Sequence, residues 1–244
     1  MISYGIVGYG RIGERLAARL PGAVAILKRR GSLDAFIARK PSIVVECASA
    51  TALAEYGPSI LAAGIDLVPL SLTALADPEV ERRLMAAAEA GPGRLEIAPG
   101  AIGTLDILAS AREDGLRRVV YRQLKSPAMW QLTPAAGLAD LAAVRGRQVF
   151  FKGSVREVAR QMPNNLNTSV GVALAGLGLD ATEAELVADP AISETAHELE
   201  IHAAPGTAVL RLGGREVAPD GDPVDYTTFS LMRILKRRQA RVMI

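Results

Sequence analysis

The sequence has little cysteine, little histidine and few aromatic residues. Of its 244 residues, one is cysteine, two are histidine and 4% are aromatic. The single cysteine, Cys47, excludes an internal disulfide and a zinc finger, so no metal site is predicted and a cytoplasmic location is expected. The apolar runs stay short of the roughly 20 residues of a membrane span, and Arg11 and Glu14 come too early for a cleaved export signal. No membrane partner is therefore predicted.

An excess of charge of one sign is also absent. Lys and Arg total 28 against 26 Asp and Glu, and the basic residues are scattered except at residues 28–30 and 236–241. A nucleic-acid-binding protein needs a concentrated basic surface, so no nucleic acid partner is expected. Apolar residues are abundant instead, at 50% of the chain, which is enough for one large domain or two modest ones.

The first hundred residues alternate apolar, strand-like runs with helix-like segments. Strands are predicted at 2–7, 23–27, 42–46, 66–70 and 95–98, and helices at 11–20, 33–39, 52–63 and 77–90. This alternation is typical of a parallel sheet covered by helices on both faces. The sequence therefore predicts an α/β fold whose first domain, residues 1–104, is a Rossmann-type, doubly wound parallel sheet.

After Pro99 the pattern changes. Strand-like runs occur at 118–125, 148–152, 198–202 and 207–212, and helices are predicted at 105–112 and 167–177. Several strands with few helices favour a second, α+β domain with a mixed sheet, residues 105–225. A last helical segment begins at Tyr226, and we expect residues 226–244 to pack back on the first domain.

The stretch GYGRIG carries the first functional signal. In the spacing G-x-G-x-x-G, Gly8 permits a tight turn, Gly10 lets the backbone approach a diphosphate, and Gly13 lets the helix pack closely. The diphosphate would lie on the N-terminus of the helix that begins at Arg11 and Ile12. A plain turn is the alternative. The apolar strand before the motif and the amphipathic helix after it favour a dinucleotide site.

A basic cluster follows the second predicted strand. Sites for NAD usually carry an acidic residue about 20 positions after the glycines, where it binds the ribose. Here Lys28, Arg29 and Arg30 occur instead. Guanidinium groups bind phosphate through paired hydrogen bonds, so NADP(H) is the favoured cofactor, with NAD(H) possible. A solvated charge run at a strand end is the alternative interpretation.

Three further stretches place polar residues in apolar surroundings. They are APGAIGTLDIL (98–108), MPNNLNTSVGVALAG (162–176) and ADPAISETAHELEIH (188–202). Together with VVECASATALAEYGPSILAAGIDLVPLSLTALAD in the first domain, they make the chain similar, over nearly its whole length, to the L-aspartate dehydrogenase family. The resemblance implies hydride transfer between a nicotinamide and the α-carbon of aspartate, giving iminosuccinate and then oxaloacetate plus ammonia. It also implies a role in pyridine-nucleotide biosynthesis and a homodimer.

The resemblance further implies roles for individual residues. Ala101 and Asn167 match positions that contact the nicotinamide cofactor, and His197 matches the catalytic histidine. Lys125 matches a basic residue that could attract a substrate carboxylate. Asn165 is a second candidate for substrate contact.

The residues themselves leave alternatives open. Glu194 and Glu198 flank His197 and could raise its pKa, which would help it exchange protons near neutrality, but a neutral core or surface histidine fits as well. Asn167 could simply cap the helix that it begins. Lys125 could be an ordinary surface lysine.

The chain also departs from the family pattern. Residues 222–226 read DPVDY where the family commonly reads N-P-K-T-S, and the two acids would repel a dicarboxylate. Thr195 stands where Asn is frequent, and Pro99 where Ser is. An NADP(H)-dependent imine reductase or amino-acid dehydrogenase with another amino-acid or imine substrate therefore stays open. So does a non-catalytic module that senses NADPH.

Overall fold

A computed structural model of the chain describes residues 2–103, 105–163, 166–213 and 226–242. It divides the chain into two units, one made of residues 1–100 with 226–244 and the other of residues 101–225. Each unit has its own sheet. In the part of the chain described, every helix is too short or too polar to cross a bilayer.

The first unit is built on a parallel sheet. Its strands within the described residues are β1 (Tyr4–Val7), β2 (Ala23–Leu27), β3 (Ile43–Glu46) and β4 (Asp66–Pro69). They pair in the order β2-β1-β3-β4, always in parallel, and β1, β3 and β4 are buried throughout. The predicted doubly wound sheet is confirmed. Residues 95–98, which are predicted as a strand, form only an isolated bridge between Leu95 and Leu67. Pro99 follows directly and has no N–H with which to extend the pairing.

Helices connect these strands, and most begin at a capping side chain. They are α1 (Arg11–Arg19), α2 (Leu33–Ile37), α3 (Ala50–Ala62) and α4 (Pro78–Ala90). Ser32, Ser49 and Asp77 each accept a hydrogen bond from a backbone N–H of the helix that follows. The exception is α1, because its N-cap is Gly10, which has no side chain to offer. The N-cap residue of α1 therefore offers no side-chain acceptor to the first backbone N–H groups of the helix.

The C-terminal helix, Tyr226–Arg237, belongs to the first unit. Leu231, Ile234 and Leu235 form its buried side. They pack in one apolar cluster with residues of β1, α1 and β3, namely Tyr4, Ile6, Leu16, Ile43 and Val45. Burial of each such side chain contributes about 2 kcal/mol. The helix thus completes the apolar layer on one face of the parallel sheet.

Two arginines at the end of the C-terminal helix fasten it to the edge of that sheet. Arg238 pairs with Asp66 and also with Glu96, at 2.6 Å, and Arg237 pairs with Glu96 at 2.7 Å. Burial by itself would raise the pKa of Asp66. The backbone N–H of Arg94 and the Arg238 guanidinium more than offset burial, so the pKa is lowered. Folding therefore stabilises the ionised form of Asp66.

The second unit surrounds a mixed sheet. Its elements in the described residues are α5 (Asp106–Glu113), β5 (Leu116–Lys125), α6 (Pro127–Gln131), β6 (Gln148–Ser154), α7 (Val155–Gln161), α8 (Asn167–Ala175), β7 (Glu183–Ala188), β8 (Ala196–Ala203) and β9 (Gly206–Gly213). The strand order is β6-β7-β5-β8-β9. Strand β7 runs parallel to β5 and the other neighbours are antiparallel, which confirms the predicted α+β class.

Three elements of this unit, α6, α7 and β7, are absent from the sequence-based prediction. Helix α7 begins with a capping box formed by Ser154 and Glu157, a signal that the sequence does carry. Strand β7 is short, and its pattern alone does not distinguish it from a loop. It forms because β5 and β6 flank it on both sides and satisfy its backbone groups.

We expect Arg238→Gln to lower the free energy of unfolding by about 1–2 kcal/mol at neutral pH. In this variant the Asp66 carboxylate stays partly buried but loses the guanidinium group that pairs with it. Since the folded-state pKa of Asp66 is depressed, this stabilisation is present above the unfolded-state pKa and is lost as the pH falls below about 4. Urea unfolding at neutral and acid pH measures both effects. Arg82→Gln is the control, because Arg82 pairs with Glu79 in full solvent, and an equal loss there would contradict the prediction.

Candidate active site

The glycine turn after β1 has the geometry that its spacing predicts. Gly8 has a φ of +91°, and a Cβ there would lie 2.6 Å from the Ala48 Cα. A Cβ on Gly13 would collide with the carbonyl oxygen of Gly8. Around Gly10, by contrast, no described atom lies within 4 Å of such a Cβ. The turn is therefore closely packed at Gly8 and Gly13 but open at Gly10, where α1 begins. This opening at the helix N-terminus is a cradle that fits a diphosphate.

The predicted basic cluster lies next to this turn. Residues 28–30 follow β2 directly and are exposed. The carbonyl oxygen of Leu27 accepts a hydrogen bond of 2.9 Å from the N–H of Gly8, so the end of β2 and the turn are neighbours. The Lys28 ammonium lies 4.7 Å from the centre of the Tyr9 ring, a cation–π contact. The glycines and the cations thus meet at one edge of the parallel sheet.

A buried carboxylate, which the sequence analysis leaves without a role, organises the same edge. Glu46 ends β3 and is 1% exposed. Its carboxylate accepts hydrogen bonds from the backbone N–H groups of Ala48, Ser49 and Ser71, at 2.7, 3.0 and 3.1 Å. The hydroxyl of Ser71 donates a fourth, at 2.9 Å. Burial raises the pKa of Glu46 against these bonds. The side chain therefore ties the loops after β3 and β4 together.

In the second unit, His197 lies on one face of the mixed sheet and is hydrogen-bonded to a phenol. It is in β8, opposite Gln123 of β5, and its Nδ1 is 2.6 Å from the hydroxyl of Tyr121. Tyr121 is fully buried. Burial raises the pKa of that hydroxyl well above its usual value, although a hydrogen bond with Thr168 opposes the rise. The imidazole therefore has a neutral partner.

The expectation that a neighbouring carboxylate acts on His197 is wrong for Glu198. Successive residues of a strand face opposite sides of the sheet. The carboxylate of Glu198 bonds to Arg147 at 2.5 and 3.0 Å and lies 3.6 Å from Arg211. Glu194 has one buried carboxylate oxygen without a hydrogen bond to any described residue.

Asn167 begins a helix that packs against β5, the strand of Tyr121. It is the first residue of α8, and the N-cap is Leu166, whose side chain makes no capping bond. The interpretation of Asn167 as a helix cap is therefore wrong, because its own backbone is already helical. Its neighbour Thr168 lowers the pKa of Tyr121, whose hydroxyl contacts the imidazole. The start of α8 thus lies near Tyr121, the residue that contacts the imidazole.

Ala101 lies in the short 3-10 helix Gly100–Ile102. Gly103 follows it with a φ of +76°, and a Cβ there would lie 3.9 Å from Leu212. Leu212 is the register partner of His197 in β9. The segment that carries Ala101 therefore passes the strand next to the histidine.

Lys125 ends β5, two residues after Gln123, and by alternation shares its face of the sheet. Its ammonium lies 4.9 Å from the centre of the Trp130 ring, so the side chain is held in place by a cation–π contact. Asn165 and residues 222–225 lie outside the described part of the chain. The substrate contact of Asn165 and the repulsion of a dicarboxylate by the acids of residues 222–225 therefore stay predictions.

Comparison with known proteins gives the family. Residues 106–238 match the family model for the C-terminal domain of aspartate dehydrogenase, and residues 27–98 match the NAD-binding domain of homoserine dehydrogenase. The L-aspartate dehydrogenase of Serratia proteamaculans is 36% identical over 251 residues, covering 95% of each chain. That of Ralstonia pickettii is 41% identical over 202 residues, covering 83% of this chain and 76% of that protein.

Solved structures agree with the sequence comparisons. The aspartate dehydrogenase of Thermotoga maritima has a TM-score of 0.78 at 26% identity, covering 100% of this chain and 99% of that one. An amine dehydrogenase from Mycobacterium smegmatis has a TM-score of 0.55 at 14% identity, covering 100% and 94%, which shows a shared fold alone.

The parallel sheet with its open glycine turn, together with a mixed sheet that carries an imidazole, defines the class of nicotinamide-dependent oxidoreductases. Within that class the assignment is specific, because the similarity to curated relatives spans nearly the whole chain. The chain belongs to the L-aspartate dehydrogenase family.

Two glycines allow folding and cofactor binding to be separated. We expect Gly8→Ala to lower the free energy of unfolding by about 2 kcal/mol or more, because of the positive φ and the collision with Ala48. Gly10→Ala should leave unfolding within about 0.5 kcal/mol of the wild type but weaken NADPH and NADH at least about tenfold, because its methyl group occupies the diphosphate cradle. Denaturant unfolding and titration calorimetry measure the two effects. Unchanged affinity in Gly10→Ala would contradict the cradle.

Proposed function

We propose that the protein is an NAD(P)-dependent L-aspartate dehydrogenase, which oxidises the CH–NH2 group of L-aspartate to iminosuccinate, hydrolysed to oxaloacetate and ammonia. The observation that carries this proposal is the convergence of the positions implied by the family. In the second unit, His197 is in β8, the segment of Ala101 passes β9 on one side of it, and α8, which begins at Asn167, packs against β5 on the other. The relatives that match this chain over most of its length carry the same activity in their names.

The chemistry divides between the cofactor and the chain. When bound, the nicotinamide ring takes up the hydride from the substrate α-carbon. His197 exchanges a proton with the substrate nitrogen or with the water that attacks the imine. Lys125, at the end of β5, balances a substrate carboxylate, and the amide of Asn167 binds the carboxamide of the nicotinamide. The glycine turn and Glu46 keep the diphosphate-binding edge in place.

We further propose that NADP(H) is preferred over NAD(H). Residues 28–30 are exposed beside the glycine turn, where the adenosine ribose of a bound dinucleotide would lie. Lys28 is occupied by its contact with Tyr9, so Arg29 and Arg30 are the two guanidinium groups that would bind the 2′-phosphate. A homodimer and a cytoplasmic location, both expected from the sequence, stay predictions.

A second candidate differs only in the substrate. The segment DPVDY at residues 222–226 replaces the lysine and the amide of the family pattern by two acids, and Thr195 replaces a frequent Asn. These changes favour an amino acid or imine with less negative charge than aspartate. The candidate is an amino-acid dehydrogenase or imine reductase with the same cofactor and the same histidine.

Steady-state assays with a panel of amino acids, and with oxo acids plus ammonia, test the proposal. We expect aspartate to give the largest kcat/KM, and His197→Ala to lower that value by at least about 100-fold while the Kd of NADPH is unchanged. His202→Ala is the matched control, because His202 bonds to Glu200 instead of Tyr121. A larger kcat/KM for another amino acid would overturn the substrate. Tight NADPH binding without any turnover would leave only a nucleotide-sensing module.

Reversing the charges of Arg29 and Arg30 tests the preference for NADP(H) over NAD(H). Arg29→Asp with Arg30→Asp should weaken NADPH at least about tenfold and leave NADH nearly unchanged, because only NADPH carries the 2′-phosphate. Arg82→Asp with Arg83→Asp on α4 changes the net charge equally and should affect neither cofactor. Calorimetric Kd values for both nucleotides decide the matter. Equal effects on NADPH and NADH would refute the NADP(H) preference.

A further inference from the structure

Gln123, in β5, carries a buried polar atom that lacks a partner. The residue is 5% exposed. Its side-chain oxygen Oε1 is enclosed and makes no hydrogen bond with any residue that the structure describes. Such an atom lowers the stability of the fold, because it has given up its hydrogen bonds to water without replacing them. A ligand that supplies the missing donor explains why a polar side chain is kept at this position.

Gln123 lies directly opposite His197. The two residues are register partners in the antiparallel pair of β5 and β8, so they share one face of the sheet, with their Cβ atoms about 4.5–5.5 Å apart. Tyr121 and Lys125 lie on the same face of β5 by alternation. The Tyr121 hydroxyl contacts His197 at 2.6 Å, and the Lys125 ammonium lies over the Trp130 ring. Of these three β5 side chains, Gln123 is the one with an enclosed, unpartnered oxygen.

We infer that Gln123 is a substrate-binding residue, whose Oε1 accepts a hydrogen bond from the amino nitrogen of the substrate. The inference rests on the proposed function, in which His197 exchanges a proton with the same nitrogen. L-Aspartate has one kind of donor group, its amino group, because both ionised carboxylates only accept. A carbonyl oxygen beside the imidazole therefore fits the amino group and does not fit a carboxylate.

The enclosed position of Oε1 is compatible with this role. Solvent does not reach the oxygen in the ligand-free chain, so the amide must turn before a ligand can meet it. The terminal torsion of a glutamine is broad, and a turn about it breaks no hydrogen bond of Oε1 to a described residue. Substrate binding then gives the oxygen the donor that the ligand-free protein does not supply.

Gln123 and His197 have different tasks at the nitrogen. An amide oxygen accepts hydrogen bonds but does not take up a proton near neutral pH, so the proton of the ammonium group passes to His197. The nitrogen keeps two N–H bonds after that transfer, and the iminium formed by hydride loss from the α-carbon keeps them as well. The hydrogen bond to Gln123 can therefore persist through the reaction. A carboxylate of the same substrate would face Lys125, roughly 7 Å further along β5.

Gln123→Met tests the inference, because methionine is unbranched and of similar length but has no amide. We expect kcat/KM for L-aspartate to fall at least about tenfold, the loss of one hydrogen bond to a charged group. Succinate is aspartate without the amino group, so its inhibition constant against aspartate should stay within about twofold of the wild-type value. The Kd of NADPH should stay within the same range. A merely structural role would change all three values.

Thermal unfolding of the ligand-free protein gives a second readout. Since Gln123→Met removes an unpartnered buried oxygen, its Tm should equal the wild-type value or exceed it by up to about 4 °C. A glutamine that serves the fold would instead lower the Tm when it is replaced. Gln148→Met in β6 is the matched control, because it makes the same substitution at an exposed residue of the same sheet. It should change neither kcat/KM nor the inhibition by succinate.

Each other outcome is decisive. Equal weakening of aspartate and succinate would overturn the inference, because Gln123 would then bind a carboxylate. An unchanged kcat/KM, a lower Tm or a failure of Gln123→Met to fold would overturn it too. Absence of aspartate turnover in the wild type would end the proposed substrate instead, and the accepted amino acid with its analogue lacking the amino group would then replace aspartate and succinate. No turnover of any amino acid would overturn both proposals.

Discussion

The alternation of side chains along β5 and β8 is the constraint on which the second unit depends. Because successive residues face opposite sides, Tyr121 and His197 share one face while Arg122 and its partners lie on the other. Arg122 bonds to Glu185 at 2.5 Å and to Glu200 at 2.7 Å, and all three are largely buried. Glu198, the residue after His197, is likewise bonded to Arg147 on that other face. On its own face the histidine contacts Tyr121, a neutral and polar group.

A different constraint organises the first unit. The strands run in parallel, so their carboxyl ends meet at one edge, and the turns that follow β1, β2, β3 and β4 become neighbours there. Gly8 provides a turn that only glycine can adopt against Ala48. Glu46 accepts four hydrogen bonds from the loops around it, which offset part of the cost of burying a carboxylate. A rigid edge of this kind is what a diphosphate site requires.

Much of the fold, and part of the site, can be predicted from the sequence. The alternating pattern of the first hundred residues identifies the parallel sheet, and β5, β6, β8 and β9 follow from their apolar runs. Strand β7 is not predicted, since its stability comes from the strands on either side. The positions of His197 and Asn167 come from a family resemblance. Tyr121 and Glu46 carry no local motif, because a buried tyrosine or a strand-end glutamate is common in any sheet.

The glycine turn at Gly8 is encoded locally, because a positive φ and a close backbone contact are requirements that only one residue type meets. The binary pattern of the strands is encoded locally as well. The contact between Tyr121 and His197, 76 positions apart, arises only in the assembled sheet. That meeting depends on the register of β5 against β8, and a shift by one residue would turn every side chain of one strand to the other face. Register arises from the packing of the whole sheet, which no short stretch of sequence contains.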